Sequence, residues 1–126
     1  MARYSHGTLT RPYNNRLVHI GDAAHRASPQ LGQGANMALL DAAALARALE
    51  TRPLHRALPA YVRARRLHTK IYQAMSWAFT PMYQSDSALL PVLRDRLLFP
   101  ASQIKPIPRL LTSLVCGTMV NPTTRL

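Results

Sequence analysis

The sequence predicts a mostly α-helical chain with one or two strands and an incomplete sheet. One short β-branched run, "RLVHI" at 16–20, is typical of a buried strand. After it, four stretches carry apolar residues at three- and four-residue steps, which indicates helices. A lone buried strand would leave its backbone N–H and C=O groups unpaired. We therefore expect "RLVHI" to be the last strand of a sheet whose other strands are not in this chain.

The N-terminal elements follow from local composition. Residues 1–15 are polar and are interrupted by Gly7 and Pro12, so they predict a loop or weak strand that leads to a turn. A glycine-containing loop follows the strand. Apolar residues at helical spacing then predict the first helix over about 33–50, and Pro53 ends it.

Three further helices are predicted after Pro53. The second helix is expected over about 59–78, because proline is favoured at a helix start. Its buried side is expected to carry Val62 or Ala64, then Leu67, Ile71, Ala74 or Met75, and Ala78. Asp86 or Ser87 can cap a leucine-rich third helix. A final short helix over about 108–116 is expected to end at Gly117.

The charge balance is strongly basic. The 126 residues include 16 Lys+Arg and 5 Asp+Glu, which gives a net charge of +11. Such a charge would suit nucleic acid or an anionic membrane surface. The densest basic group is nevertheless expected to be a solvated helix face, formed by Arg63, Arg65, Arg66 and Lys70. Nucleic acid is not expected, because aromatic residues make up 6% and do not alternate with the basic ones. Membrane-surface contact stays open but is not favoured.

The cysteine count and the lack of long apolar runs bear on disulfides, metal sites and membrane spans. Cys116 is the single cysteine, so it cannot form an internal disulfide, and no metal-ligand spacing is present. No stretch approaches the roughly 20 apolar residues of a membrane span. The first residues lack the apolar core of a signal peptide. We therefore expect a cytoplasmic location and no metal.

The stretch after the strand, "GDAAHRASPQLGQG", predicts a ligand site. Gly21 permits close backbone approach, and Asp22 then lies at the carboxyl edge of the sheet, where open α/β sheets bind ligands. A carboxylate accepts hydrogen bonds from sugar or ribityl hydroxyls. Pro29 stiffens the loop, while Gly32 and Gly34 leave room for a flat ring. The helix N-terminus that follows favours an electron-rich or anionic group.

Each of these features alone has a simpler explanation. A Gly-Asp pair at a strand end is usually a turn, and the pair Gly32 and Gly34 is too short for a dinucleotide fingerprint. His25 alone is more often a hydrogen-bonding loop residue than a catalytic one. Asp41 lies about two helical turns beyond the helix start, so it is expected to act on packing. Only the order of the features together indicates a cofactor site.

The segment "GDAAHRASPQLGQGANMALLDAAAL", 21–45, resembles the Gly-Asp motif of the FAD-dependent aromatic-ring hydroxylases, the monooxygenases similar to p-hydroxybenzoate hydroxylase. A weaker likeness continues over 61–86, so the resemblance covers roughly 16–100. It implies a parent protein of the α/β class with a Rossmann-like FAD/NAD(P)-binding fold. Residues 1–52 would then be the C-terminal part of the FAD-binding domain, and 53–126 a helical extension.

The resemblance also implies a cofactor and a set of binding residues. Asp22 would bind the ribityl chain of FAD, the loop from Pro29 to Gly34 would lie beside the isoalloxazine ring, and backbone at Gly34 to Asn36 would face its pyrimidine edge. The implied cofactor-binding set is Gly21, Asp22, Pro29, Gly32, Gly34, Ala35 and Asn36. No catalytic side chain is implied, because NAD(P)H reduces the flavin, and the flavin chemistry delivers one oxygen atom of dioxygen to the substrate.

The sequence departs from this family in what it lacks. The GxGxxG unit for the ADP half of FAD is absent, as is the substrate-binding sheet. We therefore expect a C-terminal fragment of a longer monooxygenase that is inactive alone, with a small aromatic or apolar molecule as substrate. The alternative is a non-catalytic remnant that acts as a binding or interaction module. The substrate, the choice between NADH and NADPH and the oligomeric state stay open.

Overall fold

The computed structural model describes residues 5–28, 32–84, 87 and 89–116. Two short strands, β1 (Gly7–Thr8) and β2 (His25–Arg26), pair in antiparallel register with Gly7 opposite Arg26. The helices are α1 (Gly34–Thr51), α2 (Leu54–Gln84), α3 (Leu89–Leu93), α4 (Phe99–Ser102) and α5 (Ile107–Val115), and a π-helical turn, Arg94–Leu98, joins α3 to α4. The described part of the chain is therefore mostly helical, as the sequence predicted, and its two short antiparallel strands lie at positions for which the sequence predicted no paired strands.

Residues 16–20 form no strand ladder with another described segment, so the expectation that their partner strands lie outside this chain stays a prediction. Val18 alone pairs, through an isolated bridge to Tyr13, although Ile20 has extended backbone angles. A ladder needs a neighbour along its whole length, and the polar turn at Asn14 brings back only one residue pair. Val18 and Ile20 are half-buried instead and pack against the helical core.

Helix α1 confirms the predicted first helix to within one residue at each end. It ends at Thr51, because Arg52 has an extended backbone and Pro53 follows. Its buried face presents mainly small side chains, which allow close approach of α2. Ala44 and Ala48 of α1 and Ala57 and Tyr61 of α2 form the central apolar cluster.

Helix α2 differs from the prediction in both start and register. It begins five residues before Pro59, and the N–H of Ala57 donates to the carbonyl of Pro53 at 2.9 Å. The predicted core residue Leu67 is 44% exposed, and the buried positions are instead Ala57, Leu58, Ala60, Tyr61, Ala64, Arg65, His68, Thr69, Tyr72 and Ser76. Arg65 occupies this face because Asp41 of α1 accepts from its Nε at 2.6 Å, and Ser76 because its hydroxyl donates to the Ser28 carbonyl at 3.1 Å.

The C-terminal helices contribute few buried residues to the hydrophobic core. Within α3, the π-helical turn and α4, no residue is buried. The Ser87 hydroxyl accepts a hydrogen bond from the Leu89 N–H at 3.3 Å, as predicted for a cap, whereas Asp86 and Gly117 lie outside the described residues. Helix α5 agrees with the predicted final helix. The division into 1–52 and 53–126 stays a prediction, and its boundary falls between α1 and α2, which pack together.

Candidate functional site

The Gly-Asp turn is held against α1. Gly21 opens a single 3₁₀ turn, Gly21–Ala23, with a φ of 56° that favours glycine. A Cβ added at Gly21 would lie 3.0 Å from the Cβ of Ala38, so the turn touches the helix directly. The Gly21 N–H donates to Oδ2 of Asp41 at 2.8 Å. Both the conformation and the packing therefore require glycine at this position.

Asp22 presents a solvent-accessible carboxylate beside this turn. It is exposed, and among the described residues it forms no ion pair. Asp22 also acts electrostatically on α2. Burial and the negative charge of Asp22 together raise the pKa of Tyr72, a residue of α2. The carboxylate thus keeps its full capacity to accept hydrogen bonds from a ligand.

The start of α1 is open to a ligand. Gly32 has a φ of 61°, and a Cβ added at Gly32 or Gly34 would meet no atom within 4 Å. The N-cap residue Gln33 makes no side-chain capping bond, and the first turn holds no acidic residue. The Asn36 amide donates to Oε1 of Gln33 at 2.9 Å. The positive end of the helix is therefore not neutralised by a carboxylate of its own first turn.

The structure places six of the seven predicted site residues at one end of α1. Gly34, Ala35 and Asn36 form its first turn, and Gly32 immediately precedes them. Gly21 and Asp22 lie on the turn that contacts α1 one helical turn further on, at Ala38. Pro29 lies outside the described residues. The assignment of these residues to a cofactor stays a prediction.

A buried polar network, which the sequence did not reveal, lies beneath this surface. Asp41 is fully buried, and its Oδ2 accepts from Nε2 of His25 at 2.6 Å as well as from Gly21. Its Oδ1 accepts from Nε of Arg65 at 2.6 Å. The Arg65 guanidinium also donates to Nδ1 of His68 at 3.2 Å. Asp41 thereby ties the Gly-Asp turn, β2 and α2 to α1.

The prediction that Arg65 lies on a solvated face is wrong, because its side chain is 3% exposed and paired with Asp41. The prediction of a packing role for Asp41 agrees with its burial. One signal in the sequence could have indicated the network. Asp41 lies on the apolar side of α1, four residues after Met37 and three before Ala44, where an unpaired carboxylate would be costly.

The electrostatics of the network fix its protonation. Burial by itself raises the pKa of Asp41, but the hydrogen bonds from His25 and Arg65 outweigh it, so the pKa lies below its usual value. Burial and the positive charge of Arg65 hold the pKa of His68 below 6.5. His68 is therefore neutral near pH 7, and its Nδ1 lone pair accepts from Arg65.

We expect the thermal unfolding midpoint to fall as the pH drops from about 7 to about 5. The pKa of His68 is lower in the folded chain than in the unfolded chain, so as the pH falls His68 is protonated at a higher pH in the unfolded chain. The stability from neutral His68 is present above its unfolded pKa near 6.5 and is lost as the pH falls through its folded pKa. Protonation of Asp41 lowers the stability further below about pH 4, because the pKa of Asp41 is also lower in the folded chain. Circular dichroism melts measure both.

His68→Gln is the control for this pH dependence, because glutamine keeps an acceptor but does not titrate. The slope of the midpoint between pH 7 and 5 should be shallower in this variant. Identical slopes in the variant and the parent chain would contradict the assignment to His68.

Among the described residues, no helix is long and apolar enough to cross a membrane. The same residues contain no group of His, Cys, Asp and Glu side chains that could hold a metal ion.

Comparison with known proteins identifies the family of this chain. A family model described as FAD binding domain matches residues 2–74, which is more than half of the chain. The chain belongs to this FAD-binding-domain family, whose cofactor is FAD. The match includes all seven predicted site residues and the whole buried network.

Individual relatives agree with this assignment. The 2-heptyl-3-hydroxy-4(1H)-quinolone synthase of Pseudomonas aeruginosa is 39% identical over 83 residues, which cover 66% of this chain and 22% of that protein. A 3-(3-hydroxy-phenyl)propionate/3-hydroxycinnamic acid hydroxylase of Burkholderia cenocepacia is 39% identical over 87 residues, which cover 66% of this chain and 16% of that protein. The FAD-dependent monooxygenase penM of Penicillium crustosum is 58% identical over 33 residues, which cover 26% of this chain and 7% of that protein.

The chain therefore spans about a fifth or less of the length of these curated relatives. No solved structure matches it.

The residues present fit the flavin end of FAD. An accessible carboxylate at Asp22 matches the hydroxyl donors of a ribityl chain. Open backbone at Gly32 and Gly34 leaves space for a flat ring. The uncapped start of α1 offers N–H groups and positive potential to ring carbonyls.

Proposed function

We propose that this chain forms the part of a flavoprotein monooxygenase that holds the ribityl and ring portions of FAD. The observation that carries the proposal is the pairing of the exposed Asp22 carboxylate with the uncapped N-terminus of α1, inside the segment that matches the family. The whole protein would have a Rossmann-like α/β FAD-binding domain. Its reaction would use NAD(P)H and insert one oxygen atom of dioxygen into an organic substrate.

The chain's own residues would bind and orient. Asp22 would accept hydrogen bonds from ribityl hydroxyls, and the N-terminus of α1 would stabilise negative charge at the pyrimidine edge of the ring. Asp41 would keep the turn in place through the N–H of Gly21. The chemistry supplied by bound FAD is hydride acceptance from NAD(P)H and oxygen transfer from dioxygen. No side chain of the site would act as a nucleophile.

The substrate would be a small aromatic or apolar molecule. The names of two relatives refer to an alkyl-substituted quinolone and to hydroxyphenyl acids, which are aromatic ring compounds. These two classes are the first substrates to test.

The test uses the complete gene product that carries this sequence. After purification we expect one FAD per chain, NAD(P)H consumption that rises when a hydroxyphenyl acid or an alkylquinolone is added, and incorporation of label from isotopic dioxygen into the product. A protein without FAD would support the non-catalytic binding module instead. Substrate oxidation without incorporated label would replace the monooxygenase assignment with a dehydrogenase or oxidase.

A further inference from the structure

The helices after α2 have an apolar side that nothing in the described chain covers. We call it the C-terminal apolar face, and it consists of Leu89, Leu97, Phe99, Ile104, Ile107 and Leu110. Leu89 is 73% exposed and Phe99 is 65% exposed. Isolated helices this short are marginal in water unless an apolar side packs on something. Large apolar side chains exposed in this number on neighbouring short helices indicate an interaction surface.

The shape of this region suits an apolar occupant. A hollow of about 630 Å³ lies between the end of α2 and helices α4 and α5. Its apolar walls include Phe79, Tyr83, Leu98, Phe99 and Leu111. Helix α5 places Ile107, Leu110 and Leu111 at i, i+3 and i+4, with Arg109 off this row.

The charge around the face is basic. Between 89 and 116 the sequence has four basic residues and one acid. That acid, Asp95, pairs with Arg94 at 2.7 Å. Arg96, Lys105 and Arg109 are exposed and form no ion pair with a described residue.

We propose that the C-terminal apolar face docks on the surface of an anionic membrane. Exposed leucine and phenylalanine side chains beside unpaired cations form the pattern of helices that lie in the lipid headgroup region. Negative lipid headgroups attract each nearby Lys or Arg, and the long basic side chains can reach them while apolar side chains enter the lipid. A second copy of the chain fits less well, because its corresponding face carries the same positive charge and the chain as a whole is +11.

Vesicle sedimentation tests the proposal with the complete gene product that carries this sequence, and an absence of retention on either kind of vesicle would overturn it. Vesicles of phosphatidylcholine with phosphatidylglycerol should retain the chain at least about tenfold better than pure phosphatidylcholine. The double variant Arg96→Glu/Lys105→Glu should lower that retention by at least about tenfold. Equal binding to both kinds of vesicle would overturn the electrostatic part of the proposal.

A matched control separates this face from the net charge of the chain. Arg63→Glu/Arg66→Glu changes the charge by the same amount on an exposed row of α2. Its retention should change by less than about threefold, because these cations lie away from the face. An equal loss in both double variants would assign binding to overall charge and overturn the proposal.

A second measurement locates the contact. In the complete gene product with every tryptophan, Trp77 included, replaced by phenylalanine, one new indole reports its own depth in the membrane. Brominated lipids should quench the fluorescence from Phe99→Trp strongly and that from Leu39→Trp weakly, since Leu39 is equally exposed, at 69%, but lies on α1. Equal quenching would overturn the proposed orientation. Dimerisation in ultracentrifugation without vesicle binding would assign the face to a second copy.

Discussion

Asp41→Asn lowers the free energy of unfolding by about 3–5 kcal/mol in our expectation, because it removes one partner of a buried ion pair. Asp41 is fully buried, and Arg65 is 3% exposed. Asparagine keeps the size of the side chain but carries no charge, and its single oxygen can replace only one of the two carboxylate oxygens that accept from Gly21, His25 and Arg65. Urea unfolding followed by circular dichroism near pH 7 measures the change.

Glu50→Gln is the matched control for Asp41→Asn. Glu50 also contacts an arginine, Arg47, at 3.7 Å, but both side chains are more than half exposed. Surface pairs of this kind contribute about 0–1 kcal/mol, so the control should barely change the unfolding midpoint. Equal midpoints for Asp41→Asn and the parent chain would show that the buried network does not stabilise the fold.

The coupling between Asp41 and Arg65 can be measured separately. Arg65→Met alone should destabilise the chain, because it leaves the Asp41 carboxylate buried without its cation. In the double variant Asp41→Leu/Arg65→Met, the loss should be smaller than the sum of the losses measured for Asp41→Leu alone and Arg65→Met alone. Additive losses would indicate that each side chain acts only through its own packing.

The parts of the fold that sequence predicted are those set by local signals. Pro53 and the apolar spacing fixed the end of α1 within a residue, and Gly21 and Gly32 were identified because the absence of a side chain permits close backbone approach and leaves room for a flat ring. The structure adds that both glycines have positive φ, a backbone conformation that favours glycine. Local chemistry is sufficient for such features.

The features that sequence missed depend on partners distant along the chain. The buried face of α2 includes Arg65 and His68, which any hydropathy pattern assigns to water. Their burial becomes favourable only because Asp41, 24 residues before Arg65, reaches the same point in space. The strand predicted at 16–20 also depends on distant partners, since a ladder requires a neighbouring strand, the described residues give Val18 a single bridge, and its partner strands were expected outside this chain.

The two aspartates near the Gly-Asp turn therefore have separable roles. Asp41 faces inward and holds Gly21, whereas Asp22 faces outward and has no ion-pair partner among the described residues. Loss of Asp41 should act first on stability, and loss of Asp22 on ligand affinity. This separation makes the cofactor assignment testable without knowledge of the substrate.

Asp22→Ala in the complete gene product should weaken FAD binding by about ten- to a hundredfold while leaving the unfolding midpoint nearly unchanged. A hydrogen bond to a charged group contributes about 1.5–3 kcal/mol, and each 1.4 kcal/mol corresponds to a factor of ten in affinity. The midpoint should hold because Asp22 is exposed and makes no ion pair within the described chain. Flavin fluorescence quenching during titration of the apoprotein gives the affinity, and Glu50→Gln is the control for loss of a surface carboxylate elsewhere. Equal FAD affinity in Asp22→Ala and the parent protein would remove the Asp22 carboxylate from the cofactor site, and with it the observation on which the proposed function depends.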